Sequence, residues 1–65
     1  MTTVDLNNKV AIVTGGGTGI GRASCLALAE RDVIVVVNYS RSKEDAEETV
    51  RRILSKGGRA IAIQA

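Results

Sequence analysis

Five of the eight residues from Thr14 to Gly21 are glycine, Gly15, Gly16, Gly17, Gly19 and Gly21, interrupted by Thr18 and Ile20. The run follows a short apolar stretch, Val10 to Val13, and precedes a segment dominated by Ala, Leu, Arg and Glu. A buried strand turning into a helix needs one or two glycines. Five point to a backbone that turns with positive φ and is also approached closely by a ligand, with no Cβ in between. A helix starting near Gly19 aims its free N–H groups and the positive end of its dipole at that place, which suits a phosphate.

The remaining residues alternate between strand and helix patterns. Ile20, Ala23, Leu26, Ala27 and Glu30 follow helical spacing. Val33 to Val37 is β-branched throughout and predicts a buried strand ending at Asn38, Tyr39 and Ser40, which suit a loop. Ser42 ahead of Lys43, Glu44 and Asp45 reads as an N-cap with acidic residues in the first turn. Ala46, Val50, Ile53 and Leu54 then form an apolar stripe, with Glu47 to Arg51 and Glu48 to Arg52 paired one turn apart on the wet side. Gly57 and Gly58 stop this helix, and Ala60 to Ile63 is a third apolar run.

Strand, helix, strand, helix, strand with short connections predicts a parallel sheet with right-handed crossovers and both helices on one face. The strands are apolar on both sides of the pleat, so the second face needs a cover these residues do not supply. The first strand also needs a further neighbour at its edge. The expected fold class is α/β, a Rossmann-type parallel sheet forming the first βαβαβ portion of a doubly wound three-layer domain. Residues 1–65 are then expected to be the first part of a larger α/β domain, incomplete by themselves.

Composition narrows the function. With 45% apolar and 25% charged residues the chain reads as globular. One cysteine, Cys25, and no histidine exclude an internal disulfide and a structural zinc site, so no metal is expected. Nine Lys and Arg against seven Asp and Glu, with Tyr39 the sole aromatic residue, give no base-stacking, polycationic surface for nucleic acid. No apolar run approaches the about 20 residues of a membrane span, and Met1 to Lys9 lacks a basic-then-apolar signal pattern. No membrane partner is expected, and the expected location is cytoplasmic.

Three phosphate loops compete for Thr14 to Gly21. The P-loop spacing fits Gly16 to Gly21, but Arg22 and Ala23 follow where Lys and Ser or Thr are required, and alanine cannot ligate magnesium. The fingerprint G-x-G-x-x-G fails in every register; from Gly17 its last position is Arg22. The spacing that fits is G-x-x-x-G-x-G at Gly15, Gly19 and Gly21, led by Thr14. On TGxxxGIG, on the lead of Leu6, Lys9, Val10 and Ala11, and on the stretches Val35 to Tyr39 and Gly57 to Ile63, the chain resembles the short-chain dehydrogenase/reductase family.

That resemblance implies a nicotinamide-dependent oxidoreductase moving hydride between cofactor and a small-molecule carbonyl or secondary alcohol. It implies that Gly15, Gly19 and Gly21 shape the cofactor loop and that the backbone around Thr18 and Ile20 lies near the pyrophosphate. It also implies a catalytic Ser, Tyr and Lys beyond Ala65, so no catalytic residue is nominated here, and a homodimeric or homotetrameric parent. The alternative of a different class is a dinucleotide-binding module without turnover, a redox sensor or scaffold.

A residue at the end of the second strand meets the adenosine ribose, and an acidic side chain there binds a free 2′-hydroxyl. Asn38 holds that place, and no Asp or Glu appears between Asp32 and Glu44. Asn38, Tyr39, Ser40, Arg41 and Ser42 offer neutral donors and one guanidinium, suited to a 2′-phosphate. NADP(H) is therefore expected over NAD(H), although Thr18 stands where many NADP-preferring relatives carry arginine. The candidate cofactor residues are Gly15, Gly17, Thr18, Gly19, Ile20 and Gly21 in the loop, and Asn38, Tyr39, Ser40, Arg41 and Ser42 beyond the second strand.

Four residues have a plainer reading. Tyr39 and Lys43 have the Y-x-x-x-K spacing of the family's catalytic pair, but they fall at the adenosine end and are read as non-catalytic. Arg22 is expected on the helix surface, not on a phosphate. Cys25 is expected to be a buried structural thiol. Asp32 stands where relatives end the first helix with glycine, so the turn is expected to differ here.

Overall fold

The computed structural model describes residues 3–6, 10–15 and 17–64. Gly16 and the Lys9 of the lead lie outside them. Six elements follow in chain order: β1 (Thr3–Leu6), β2 (Val10–Thr14), α1 (Gly19–Ala29), β3 (Ile34–Tyr39), α2 (Lys43–Ser55) and β4 (Arg59–Gln64). The sheet order is β1-β2-β3-β4. Strands β2, β3 and β4 are parallel, in the register Thr14↔Asn38 and Asn38↔Ile63, and form with the two helices the expected Rossmann-like βαβαβ unit.

β1 adds a strand that the sequence pattern does not announce. It pairs antiparallel with β2, Thr3↔Val13 to Leu6↔Val10, and covers the edge for which a further neighbour was required. β3 also runs two residues further than expected. Asn38 and Tyr39 stay in the sheet because β4 extends to Gln64 and pairs Tyr39.

Both helices pack on one face. Val13 of β2, Val35 and Val37 of β3, Cys25 of α1, and Ala46 and Ile53 of α2 make one buried cluster, with Ala11 buried beside it. Burying each of the larger aliphatic side chains contributes about 1.5–3 kcal/mol. On the other face, Ile61 and Ile63 of β4 are 50% and 45% exposed.

The packed side of α1 differs from the spacing read in the sequence. Gly21 and Cys25 are its buried residues, whereas Ala23 and Ala27 are exposed and Ile20 is 78% exposed. Alanine on several sides leaves the helix with little apolar contrast, and the small pair Gly21 and Cys25, one turn apart, is what α1 buries. Burial pushes the Cys25 thiol up to about 11, which keeps it protonated near neutral pH.

Helix α2 follows its sequence signals more closely. Ser42 caps it, and its hydroxyl accepts the Asp45 amide at 3.4 Å. At the far end Gly57 takes φ 84°, its N–H donating to the Leu54 carbonyl and that of Gly58 to the Ile53 carbonyl, each at 3.0 Å, the paired bonds of a Schellman ending. Glu48 binds both Arg51 and Arg52, at 2.7 and 2.9 Å, which lowers its carboxyl pKa and replaces the expected Glu47 to Arg51 pair. Leu54 is 53% exposed, and Thr49 is buried in the helix face in its stead.

Candidate functional site

The glycine loop leaves the end of β2 beside the end of β3. Thr14 pairs with Asn38, and the Gly15 N–H donates to the Asn38 carbonyl at 3.1 Å. This bond closes the sheet at its carboxyl end, where α/β folds bind ligands. Beyond it a cavity of about 160 Å³ opens between two walls. Gly15, Gly17 and Thr18 line one side, and Tyr39, Ser40, Arg41 and Ser42 the other.

Seven of the eleven candidate residues therefore meet in one place, although they come from two separate segments of chain. Asn38 does not line the cavity but holds Gly15, which does, through its carbonyl, while Gly19, Ile20 and Gly21 form the first turn of α1. Gly15 and Gly19 take φ 69° and 56°, and a Cβ on either would meet nothing within 4 Å. Conformation demands glycine there, and the space beside the backbone is open for a ligand. Gly17 is different: a Cβ would lie 3.1 Å from the Asp45 Cβ and 3.2 Å from the Ala46 nitrogen, so this glycine lets the loop rest on α2.

Thr18 precedes α1 in an extended conformation, with no side-chain capping bond, and no acidic residue stands in the first turn. The N–H groups of that turn and the helix dipole meet no negative side chain of α1, a setting that favours an anion. The opposite wall is held from behind. Tyr39 packs partly against the core, and the Ser40 carbonyl accepts from Gln64 Nε2 at 3.3 Å. These features fit a dinucleotide phosphate held by backbone amides. Lys43, the partner of Tyr39 in the Y-x-x-x-K spacing, is exposed at the start of α2.

Three residues that sequence reasoning missed organise the site. Arg22 is no free surface residue: its Nε donates to Thr49 Oγ1 at 2.9 Å, and its Nη2 to the Asp45 carbonyl at 3.1 Å. Thr49, fully buried, shares its one hydroxyl proton between the Gly17 carbonyl at 3.3 Å and the Asp45 carbonyl at 3.2 Å. Asp45 lines the cavity, so an acidic group does reach the candidate ribose end, from inside the next helix. The S-x-x-D spacing of Ser42 and Asp45 signalled the cap, but not that the same residue faces the loop across 28 positions of chain.

A larger cavity, about 450 Å³, lies at the other end of the sheet between Glu30, Asp32, Lys56 and Arg59. It carries balanced charge and none of the candidate residues. Among the described residues no group of three or more His, Cys, Asp or Glu could hold a metal ion, and no helix is long and apolar enough to cross a membrane.

Comparison with known proteins agrees with this geometry. The short chain dehydrogenase family profile matches residues 9–65. The short-chain dehydrogenase/reductase homolog YusS of Bacillus subtilis is 64% identical over 58 residues, 89% of this chain and 53% of that protein. Versicolorin reductase 1 of Aspergillus parasiticus is 57% identical over 60 residues, 92% of this chain and 23% of that protein. The chain thus spans about half the length of the first of these curated relatives and about a quarter of the second. Among solved structures, the promiscuous reductase LugOII, which catalyses a keto-reduction in lugdunomycin biosynthesis, superposes with a TM-score of 0.86 at 42% identity, over 95% of this chain and 24% of that one. A metagenomic short-chain oxidoreductase in complex with NADP gives 0.83 at 32% identity, over 95% of this chain and 28% of that one. The glycine spacing, the βαβαβ unit that carries it and these matches agree: the chain belongs to the short-chain dehydrogenase/reductase family and corresponds to its N-terminal part.

Proposed function

We propose that this chain is the cofactor-binding part of an NADP(H)-dependent oxidoreductase that moves hydride between nicotinamide and a small-molecule carbonyl or secondary alcohol. The observation that carries the reading is the single cavity in which Gly15, Gly17 and Thr18 face Tyr39, Ser40, Arg41 and Ser42. Gly15 and Gly19 let the pyrophosphate approach the backbone around Thr18 and Ile20, while Gly17 seats the loop against α2 and Gly21 seats the first turn of α1 in the packed face. Asn38, Tyr39, Ser40, Arg41 and Ser42 receive the adenosine ribose and its 2′-phosphate, with Arg41 as the cation.

In the same reading, residues 1–65 are part of a larger dinucleotide-binding domain, and the exposed Ile61 and Ile63 mark a sheet face that further chain covers. The catalytic Ser, Tyr and Lys belong to that further chain, the parent is a homodimer or homotetramer, and it works in the cytoplasm. The related oxidoreductase solved with NADP is compatible with the cofactor choice. The test is calorimetric titration with NADP+ and NAD+. Tighter binding of NADP+ is expected; equal or tighter NAD+ binding overturns the 2′-phosphate assignment. NADPH oxidation on addition of a carbonyl substrate to the parent supports the oxidoreductase, and binding without turnover favours a dinucleotide-binding module.

A further inference from the structure

Asp45 stands on the wall assigned above to the adenosine end, and nothing in that reading uses it. Its backbone is pinned from three sides. The carbonyl accepts from Arg22 Nη2 and from Thr49 Oγ1, the N–H donates to Ser42 Oγ, and the loop lies so close that a Cβ on Gly17 would be 3.1 Å from the Asp45 Cβ. The residue is therefore fixed beside the glycine loop and cannot withdraw from the cavity without unseating α2.

Its carboxylate also acts on the wall opposite the loop. The Ser42 hydroxyl donates to Asp45 Oδ2 at 2.7 Å, a charge-assisted bond. A hydroxyl has one proton to give, so Ser42 donates it to a phosphate only by giving up its bond to Asp45. Arg41 and Asp45 are the charged residues lining the cavity, one of each sign, with the Arg22 guanidinium held behind Asp45 on its backbone carbonyl. A 2′-phosphate brings close to two negative charges into a space that it would share with a carboxylate. A ribose 2′-hydroxyl, by contrast, is a donor for which a carboxylate is a good acceptor.

We propose that Asp45 is a specificity-determining residue of this site, whose carboxylate opposes a 2′-phosphate and narrows the preference for NADP(H) over NAD(H). The inference rests on the dinucleotide reading above. It makes the adenosine wall a balance in which Arg41 favours the phosphorylated ribose and Asp45 the plain one.

The test is titration of the whole chain with NADP+ and with NAD+, comparing wild type with Asp45→Asn and Asp45→Glu, and with a circular dichroism spectrum of each. Asp45→Asn keeps an oxygen for the cap and removes the charge. It is expected to raise the ratio of NADP+ to NAD+ affinity about tenfold at low ionic strength, the effect of one partly screened charge, and less in about 0.5 M salt. Asp45→Glu retains the charge and is expected to leave the ratio within about twofold of wild type, whereas a purely structural role predicts no ratio shift in Asp45→Asn either. Asp45→Asn with an unchanged ratio, or equal shifts in both affinities, overturns the inference and leaves the dinucleotide reading intact. Wild type binding neither dinucleotide overturns both.

Discussion

Helix α1 begins behind Thr18, which makes no side-chain cap, and has no acidic residue in its first turn, whereas α2 begins behind Ser42, whose hydroxyl accepts the Asp45 amide, and places Glu44 and Asp45 over its positive end. Both starts border the same cavity. A good cap is worth about 1 kcal/mol, so α1 forgoes a stabilisation that α2 takes. The difference separates a helix start that its own side chains satisfy from one that they leave open. α2 places acidic groups over its own dipole and serves as a wall, while no side chain of α1 offsets the positive potential of its first turn. Arg22 and Thr49 join the two starts, so the distance between them is fixed by the fold.

Breaking the start of α1 has the largest expected effect. In Gly19→Val a β-branched residue would occupy φ 56°, which costs about 1–2 kcal/mol or more and turns the first helical turn away from the cavity. Affinity for NADP+ is expected to fall at least about 100-fold by calorimetry. Unchanged affinity would mean that the first turn of α1 is not where the phosphates sit.

Cutting the brace between the two starts comes next. Thr49→Val keeps the shape of a fully buried side chain but leaves Arg22 Nε and the Gly17 carbonyl without this partner. Stability to urea is expected to drop by about 2 kcal/mol. Thr49→Ser, which retains the hydroxyl, is expected to lose less; a larger loss in Thr49→Ser than in Thr49→Val would assign the effect to the methyl group.

The comparison is sharpened by giving α1 the cap that α2 has. Thr18→Asp supplies an acceptor and a negative charge at the helix start and is expected to raise stability by about 0.5 kcal/mol. The same charge occupies the anion position, so affinity for both dinucleotides is expected to fall about tenfold. Stability and binding should move in opposite directions. A variant that gained both would show that the bare start of α1 has no bearing on the ligand.

These contrasts were legible in the sequence to different depths. The glycine spacing, the Ser42 cap and the Gly57 ending are encoded within a few residues each, and local backbone chemistry is enough to find them. The gathering of Gly15 to Thr18 with Tyr39 to Ser42 followed from strand order, since parallel neighbours bring their carboxyl ends together. Arg22, Thr49 and Asp45 did not follow, because their roles depend on which side of α2 meets the loop, 23 to 32 residues away. Thr49 in particular sits among Glu, Val and Arg, and only packing shows that a hydroxyl and not Leu54 occupies the buried position. β1 escaped for another reason. Thr3 to Leu6 is too short for its pattern to stand out, and the turn-favouring pair Asn7 and Asn8 behind it was the available signal.

The other ends of the two helices repeat the comparison on a smaller scale. After α2 the left-handed turn falls to Gly57 at φ 84°, whereas after α1 it falls to Asp32 at φ 61°, the one non-glycine residue with positive φ among those described. The turn thus keeps the left-handed form expected to be lost, and Asp32 bears the strain. In Asp32→Gly the relief of that strain, up to about 1–2 kcal/mol but less for Asp, is offset by the greater freedom of glycine in the unfolded chain. The substitution also removes the Asp32 to Arg59 ion pair, which spans 3.7 Å between side chains 96% and 64% exposed and contributes little. A net gain of about 0.5 kcal/mol is expected from the urea midpoint at constant slope. The reciprocal Gly57→Asp should lose about 1 kcal/mol, since there the strain is introduced where two backbone bonds depend on the turn. If Asp32→Gly lost stability instead, the left-handed strain at Asp32 would be smaller than the cost of glycine's added freedom in the unfolded chain.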